Sequence, residues 1–381
     1  MVRAVVVGGG VGGLTAAVAL RRRGWDVLVL EQAASLEPVG AGIALAPNAV
    51  RALGAIDLGD RLRGLASLQG QVGIRRPDGA WLMRGDAAAA GPDPTLVLHR
   101  AQLVELLVDV LGEGSLRLGT RVTGIETGGT DVSAVVTADD RTWECDLVVA
   151  ADGIDSPTRA ALFPDHPGPV YAGATAWRFV TPGPVTVEAA ETWGPGSVVG
   201  TVPLADGRVY CYLTATLPPR TRFDDEAAEL RRRFAGWHAP LPALLADLDP
   251  SQVLHHDLRR LRTPPPRFDV GRVALLGDAA HAMTPNLGQG GAQAIEDGVV
   301  LATALGIPER DVCPGLASYS VQRHDRTRRI ARASARVGAV TTWRSPAAVG
   351  LRELGLRTVG RRAMSRAADR LDWVLGWQPP A

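Results

Sequence analysis

The apolar positions change period along the chain, and each change predicts a different kind of element. RAVVV is apolar at nearly every position, the mark of a strand buried on both faces of a parallel sheet. The glycines of GGGVGG follow, then LTAAVALRRRG with helical periodicity and a closing Gly24, then the strand WDVLVLE. Residues 3–31 are therefore predicted as strand, glycine loop, helix, strand. AQLVELLVDVLG predicts a helix starting after Arg100, and RVTGIET, DVSAVVT and RTWECDLVVAADG predict strands, the last closing at Asp152. Between about 166 and 267 the period drops to two, in YAGATAWRFV, GSVVGTVPL and GRVYCYLTAT, which predicts antiparallel strands. One amphipathic helix interrupts them, with Phe223, Ala227, Leu230, Phe234 and Trp237 on one face. The first texture returns in VGRVALLGDAA, and a helix-rich tail follows. The expected architecture is α/β: a discontinuous parallel-sheet domain over 1–70, 98–165 and 268–340, an antiparallel-sheet domain over 71–97 and 166–267, and a helical C-terminal segment, 341–381.

Composition narrows the chemistry. A formal net charge of +1 gives no reason to expect a nucleic-acid or membrane partner. All 41 basic residues are Arg, so no Lys is present for Schiff-base or nucleophilic chemistry. Cys145, Cys211 and Cys313 are far apart and form no CxxC pair, which argues against disulfides or a zinc site and for a reducing cytoplasm. The 7 His include no pair at ligand spacing, so no metal is expected. No apolar run approaches the roughly 18 residues of a membrane span. The only biased stretch is the loop DAAAAGPDPT at 86–95.

Two glycine junctions carry the binding chemistry. In GGGVGG, Gly8, Gly10 and Gly13 occupy the G-x-G-x-x-G positions between a strand and a helix, where backbone N–H groups and the helix dipole meet a pyrophosphate. Glu31 ends the next strand, placed to accept bonds from ribose hydroxyls. VALLGDAAHAMTPNLGQGGAQAIEDG, at 273–298, is a second strand-to-helix junction. In it Asp278 is a candidate for sugar-alcohol hydroxyls, and Gly288, Gly290 and Gly291 open a helix facing a ring that gains negative charge. GPGSVVG at 194–200 is also glycine-rich, but it lies between antiparallel strands and is assigned no function.

Together these motifs resemble the group A flavoprotein monooxygenases of the para-hydroxybenzoate hydroxylase fold, and within them the salicylate- and urate-hydroxylase-like members. The likeness extends to GAGIALAPNAVRAL at 40–53, to Arg100 in LHRAQL, and to ADGIDSPTR, which carries Asp152, Gly153, Ser156 and Arg159 in the D-G-x-x-S-x-x-R pattern. One position departs from it: Ala292 stands where many relatives carry an Asn after GQG. The resemblance implies a Rossmann-like FAD-binding domain interrupted by a substrate domain. Gly8, Gly10, Gly13, Glu31, Arg100, Asp152, Asp278, Gly288, Gly290 and Gly291 would hold FAD, and the loop of Pro285 would border the flavin ring. Asp152 and Arg159 could instead form a structural ion pair. NADH or NADPH would serve as transient electron donor, O2 as oxidant, and a flavin hydroperoxide would hydroxylate a small aromatic substrate in a monomer or homodimer.

Arg178, Tyr212 and Pro285 are the catalytic candidates, with Trp177 and Tyr210 beside them. Strand alternation allows only one of Trp177 and Arg178 to face the pocket, while Tyr210 and Tyr212 share a face. His281 is read as positional, and RHDRTRRIARASAR at 323–336 as a solvated face over a buried stripe. Epoxidation, Baeyer–Villiger insertion, oxidative decarboxylation or a non-catalytic FAD-binding role remain open alternatives on the same fold.

Overall fold

The computed structural model describes residues 2–36, 42–64, 71–86, 95–127, 133–137, 141–309 and 311–380; for 63, 71, 86, 127, 133–137 and 359–370 it describes the backbone alone. Most of the biased loop at 86–95 and the first two residues of GAGIALAPNAV lie outside the described residues.

The apolar runs pair as a parallel sheet. Its strand order is Asp269–Val270, Val273–Leu275, Leu147–Ala150, Arg3–Val7, Asp26–Leu30, Leu116–Arg117, and only the Asp269–Val270 pairing is antiparallel. Val5, Val6, Leu147, Val148, Val149 and Leu275 are fully buried, as strands covered on both faces require. Helix Val11–Arg22 packs on this sheet and against helix Gly290–Leu305. The run RTWECDLVVAADG is not one strand. Thr142–Cys145 pairs in a small three-stranded sheet, and Leu147–Ala150 joins the parallel one. Asp146 makes the break, because its backbone N–H and its carboxylate are both engaged with the backbone of Arg3.

The second sheet has seven strands, ordered Leu254–Leu261, Pro169–Val180, Val209–Ala215, Ser197–Pro203, Ala189–Gly194, Gln71–Arg75, Trp81–Asp86. It is antiparallel except where Ala189–Gly194 runs parallel to Gln71–Arg75. One face carries Trp177, Phe179, Cys211 and Leu213 onto helix Glu226–Phe234, forming a separate core. That helix is shorter than its apolar spacing suggests. Asp225 caps it by accepting from Ala228 N at 2.8 Å, so Phe223 precedes the helix and Trp237 follows it, both still packed on the core.

The largest departure from the sequence reading lies in the long helix Cys313–Thr341. Arg329, Arg332 and Arg336 form the expected exposed face, but Arg323 is only 1% exposed. Its guanidinium bonds Asp297 Oδ1 and Glu296 Oε2, each at 2.6 Å, and both carboxylates are fully buried. Arg326 adds a bidentate contact to Glu296, at 2.7 and 2.8 Å, and also donates to the carbonyls of Trp373 and Val374 in helix Pro346–Leu375. Two helices and the chain end are thereby fixed to helix Gly290–Leu305. Removing one partner from such a cluster leaves an uncompensated buried charge, a cost of about 3–5 kcal/mol. Arg323→Met is expected to lower the unfolding free energy measured by urea titration by that amount, whereas Arg336→Met on the exposed face should stay within about 0.5 kcal/mol. Equal shifts in the two variants would show that the buried cluster does not carry this weight.

Candidate functional site

The first glycine junction separates packing from binding, glycine by glycine. Gly8 turns the chain at φ +107°, and a Cβ there would sit 2.3 Å from Ala151 O. A Cβ on Gly13 would lie 2.1 Å from Gly8 O. Those two glycines are demanded by the protein itself. Gly10 differs: its backbone is extended, at φ −70° and ψ 172°, and a Cβ would meet nothing within 4 Å. It caps helix Val11–Arg22 without a side-chain acceptor, so the first N–H groups of the helix have no side-chain cap. Glu31 is locked beside this opening, its Oε2 accepting from Gly9 N at 2.6 Å and its Oε1 from Ala33 N at 2.8 Å. Its remaining lone pairs are free for ribose hydroxyls.

The second junction starts at Gly277, φ +63°, which precedes the single turn Asp278–His281. Asp278 is open to solvent on the cleft side and enclosed by protein elsewhere. Burial raises its carboxyl above the usual range, while His281, Arg100, Arg178 and Arg159 oppose that rise. Three elements besides its own turn thus converge on one carboxylate. Arg100 opens helix Arg100–Leu111, and its guanidinium, like that of Arg178, makes no hydrogen bond or ion pair among the described residues. His281 is buried and bonds Asp297 Oδ2 at 2.6 Å, which also accepts from Gly277 N at 3.0 Å. Pro285 begins a one-turn 3₁₀ segment, after which Gly288 turns left-handed at φ +62°, and neither Gly288 nor Gly290 has an atom near a would-be Cβ. Gly291 lies 3.4 Å, by the same measure, from Ile43 Cδ1. Ala292 belongs to the apolar core; Asn48, from helix Pro47–Gly54, supplies a buried amide to this turn, donating to Gln289 at 2.9 Å.

The DGIDSPTR stretch forms no Asp152–Arg159 ion pair. Arg159 donates to the carbonyls of Ala279, at 3.0 Å, and Ile154, at 2.7 Å, tying this stretch to the second junction. Burial lowers the pKa of its guanidinium, with Asp152, Asp155 and Asp278 pulling the other way. Asp152 accepts from Thr158 N at 3.1 Å through Oδ2, and its Oδ1 is buried with no partner. An orphaned buried acceptor beside an open glycine turn fits a hydroxyl-bearing ligand.

The seven-stranded sheet turns its other face to these junctions. Trp177 is fully buried in the helix-covered core, so Arg178 points to the cleft, directly opposite Tyr212 on the neighbouring strand. Tyr210 shares that face, and its ring would touch a Cβ on Gly42 at 2.6 Å. Burial raises the phenol of Tyr210, and Arg178 partly offsets this. Tyr212 behaves differently. Its ring lies across Gly200, where a Cβ would come within 2.0 Å, and its hydroxyl donates to Glu191 Oε1 at 2.7 Å. The glycine of the unassigned stretch 194–200 is therefore a notch for this ring.

Two further cleft residues escape sequence reasoning: Glu191, and His256, which stands opposite Ala176. Burial first, then Arg178, Arg222 and His255, hold the His256 imidazole below its ordinary pKa. Register alone reveals these two residues, because nothing local marks them.

The open cradle predicts a separation of effects. Gly10→Val should leave the unfolding midpoint of the ligand-free protein nearly unchanged, because the side chain enters empty space, yet abolish retention of a dinucleotide. Gly13→Ala should lose both. Binding assays and thermal melts on the two variants check this, and a Gly10 variant that keeps its cofactor would refute the assignment.

Residues 1–334 match the family described as FAD binding domain. The aurachin C monooxygenase/isomerase of Stigmatella aurantiaca is 38% identical over 376 residues, covering 97% of this chain and 95% of that protein. The FAD-dependent urate hydroxylase of Klebsiella pneumoniae is 35% identical over 342 residues, with 86% and 87% covered. The crystal structure of Klebsiella pneumoniae HpxO complexed with FAD and uric acid superposes with a TM-score of 0.89 at 30% identity, covering 98% of this chain and 97% of that one. A salicylate hydroxylase substrate complex shares the fold, with a TM-score of 0.79 at 23% identity over 100% and 98% of the two chains. Motifs, cradle geometry and likeness along the whole chain agree, and the chain belongs to the FAD-dependent aromatic monooxygenases of the urate- and salicylate-hydroxylase-like group.

Proposed function

We propose that this monooxygenase oxygenates a small, fused nitrogen heteroaromatic ring held between the seven-stranded sheet and the flavin, with Arg178 reading an oxygen on that ring. When bound, FAD would supply the redox chemistry, hydride acceptance from NAD(P)H and activation of O2 for transfer of one oxygen atom. The chain's own residues divide the remaining work. Gly10 and the helix it caps hold the pyrophosphate, Glu31 the ribose, and Asp278, Asp152 and Arg100 the rest of the cofactor. The Pro285 turn and the helix opening at Gly290 border the ring that gains electrons, and the positive end of that helix favours the added charge.

Arg178 carries the substrate assignment. It is a half-buried guanidinium on the cleft face with no partner among the described residues. A cation left unpaired in a cleft suits a carboxylate, phenolate or carbonyl oxygen. Tyr210 adds a hydroxyl that is likewise unbonded among the described residues. Two relatives support a heterocycle: the urate hydroxylase, and the 2-heptyl-3-hydroxy-4(1H)-quinolone synthase of Pseudomonas aeruginosa, 34% identical over 376 residues. The urate and the quinolone for which those enzymes are named are fused nitrogen rings bearing N–H and carbonyl groups. None of the three cysteines forms a disulfide, which suits a reducing cytoplasm, and no described helix is long and apolar enough to cross a membrane.

The roles separate by mutation. Asp278→Ala is expected to lose FAD on gel filtration. Arg178→Ala is expected to keep FAD but lose substrate-stimulated NAD(P)H oxidation by about 10- to 100-fold, the worth of a charged hydrogen bond. Equal flavin loss in both variants would sink this division.

A further inference from the structure

Resting on the reading that the Pro285 turn and the head of helix Gly290–Leu305 border the flavin ring, we infer that Asn48 is a positioning residue for that ring. It pins the helix head, through Gln289, to helix Pro47–Gly54. The strand just before that helix, Gly42–Leu45, carries Ile43 against Gly291. The uncapped N–H groups of the head are thereby held in one place beside the ring.

Gln289, Gln293 and Glu296 are spaced four and three apart, which puts them on one face of the helix, and all three are buried. Asn48, fully buried, meets that face from the neighbouring helix. Its Nδ2 donates to Gln289 Oε1 at 2.9 Å and to Glu296 Oε1 at 2.6 Å. Gln293 Nε2 donates to the same two oxygens, at 3.1 and 2.9 Å. Ions fix the orientation of all three amides. Arg323 has only donors, so the end of Gln293 that it meets at 2.7 Å is the oxygen. Glu296, paired with Arg323 and Arg326, only accepts, so the ends of Asn48 and Gln293 that face it are nitrogens. The end of Gln289 that meets both nitrogens is then its oxygen. Orientation passes in this way from the buried charges to the helix head.

Stability alone does not account for Asn48. Its Oδ1 is buried with no partner among the described residues, and an unmet buried carbonyl is destabilising. Glu296 keeps Arg323, Arg326 and Gln293 without it. A buried residue that is costly at one end and dispensable to its charged partner marks a functional position. Its other end is a direct link between the two helices at the cofactor side.

Asn48→Leu keeps the branched shape and removes both polar ends. The ligand-free variant should unfold at the wild-type temperature or above it. The FAD-loaded variant should lose about tenfold in its preference for reduced over oxidised FAD, the upper range of a helix-terminus charge interaction. That loss lowers the reduction potential by about 30 mV for a two-electron couple, read by equilibration with a reference dye. Gln289→Met removes the acceptor and should lower the potential equally, and the double variant should go no further. A potential unchanged in Asn48→Leu overturns the inference, as do shifts that add in the double variant. A lower unfolding temperature for Asn48→Leu, or failure to fold, also overturns it and leaves Asn48 a structural residue only. Gly290→Val puts a side chain at the head itself. If that variant keeps FAD at the wild-type potential, the reading beneath the inference fails as well.

Discussion

A buried cluster of charge holds this fold at the point where its chemistry is arranged. Glu296 and Asp297 are adjacent on helix Gly290–Leu305, fully buried, and answered by Arg323 and Arg326 from helix Cys313–Thr341. Burial alone would raise both carboxyls, yet His281 and Arg323 hold Asp297 down at about 2, and Arg323 and Arg326 keep Glu296 low. The same two carboxylates reach the cofactor side. Asp297 accepts from Gly277 and His281, which frame Asp278, and Glu296 accepts from Asn48 at 2.6 Å. Desolvating two anions is costly, and only complete pairing offsets it. Because the pairing spans three helices and the Asp278 turn, the turn inherits the rigidity of the core.

From that anchor the site divides along its two sheets. The parallel sheet offers backbone: open N–H groups at Gly10, a left-handed turn at Gly288 and carboxylates fixed by neighbouring amides. The seven-stranded sheet offers side chains, with Arg178, Tyr210, Tyr212, Glu191 and His256 on one face and a dry core behind them. Such a division lets one cofactor cradle serve many substrates, since changes on the second sheet leave the first untouched. Here the second sheet is unusual in binding its own tyrosine. Gly200 clears the space, Glu191 accepts the hydroxyl's hydrogen bond, and Arg352 of the last helix braces Trp193.

What the sequence made legible was local. Gly8, Gly10, Gly13 and Glu31 sit within one strand–helix–strand unit, and Asp278 and the glycines after Pro285 within another, so spacing alone placed them. Alternation separated Trp177 from Arg178 without further help. The rest depends on register and on partners distant in sequence. Glu191 meets Tyr212 because both strands flank Ser197–Pro203, and His256 reaches the same face by pairing with a strand some eighty residues earlier. Periodicity located the buried stripe of helix Cys313–Thr341 but not its contents. An Arg on a buried stripe is affordable only if carboxylates wait there, and Glu296 and Asp297 sit inside a run otherwise rich in small and apolar residues.

At this site NAD(P)H and substrate together reduce O2, one oxygen atom entering the product and the other leaving as water. The most direct measurement is the balance of NAD(P)H consumed, O2 consumed and peroxide formed by the FAD-loaded protein, across fused lactams, phenols and aromatic acids. The account predicts at least one compound that accelerates consumption with equal uptake of O2, little peroxide, and a product that gains one atom of 18O from 18O2. Peroxide equal to NAD(P)H for every compound, with no label in any product, would contradict it.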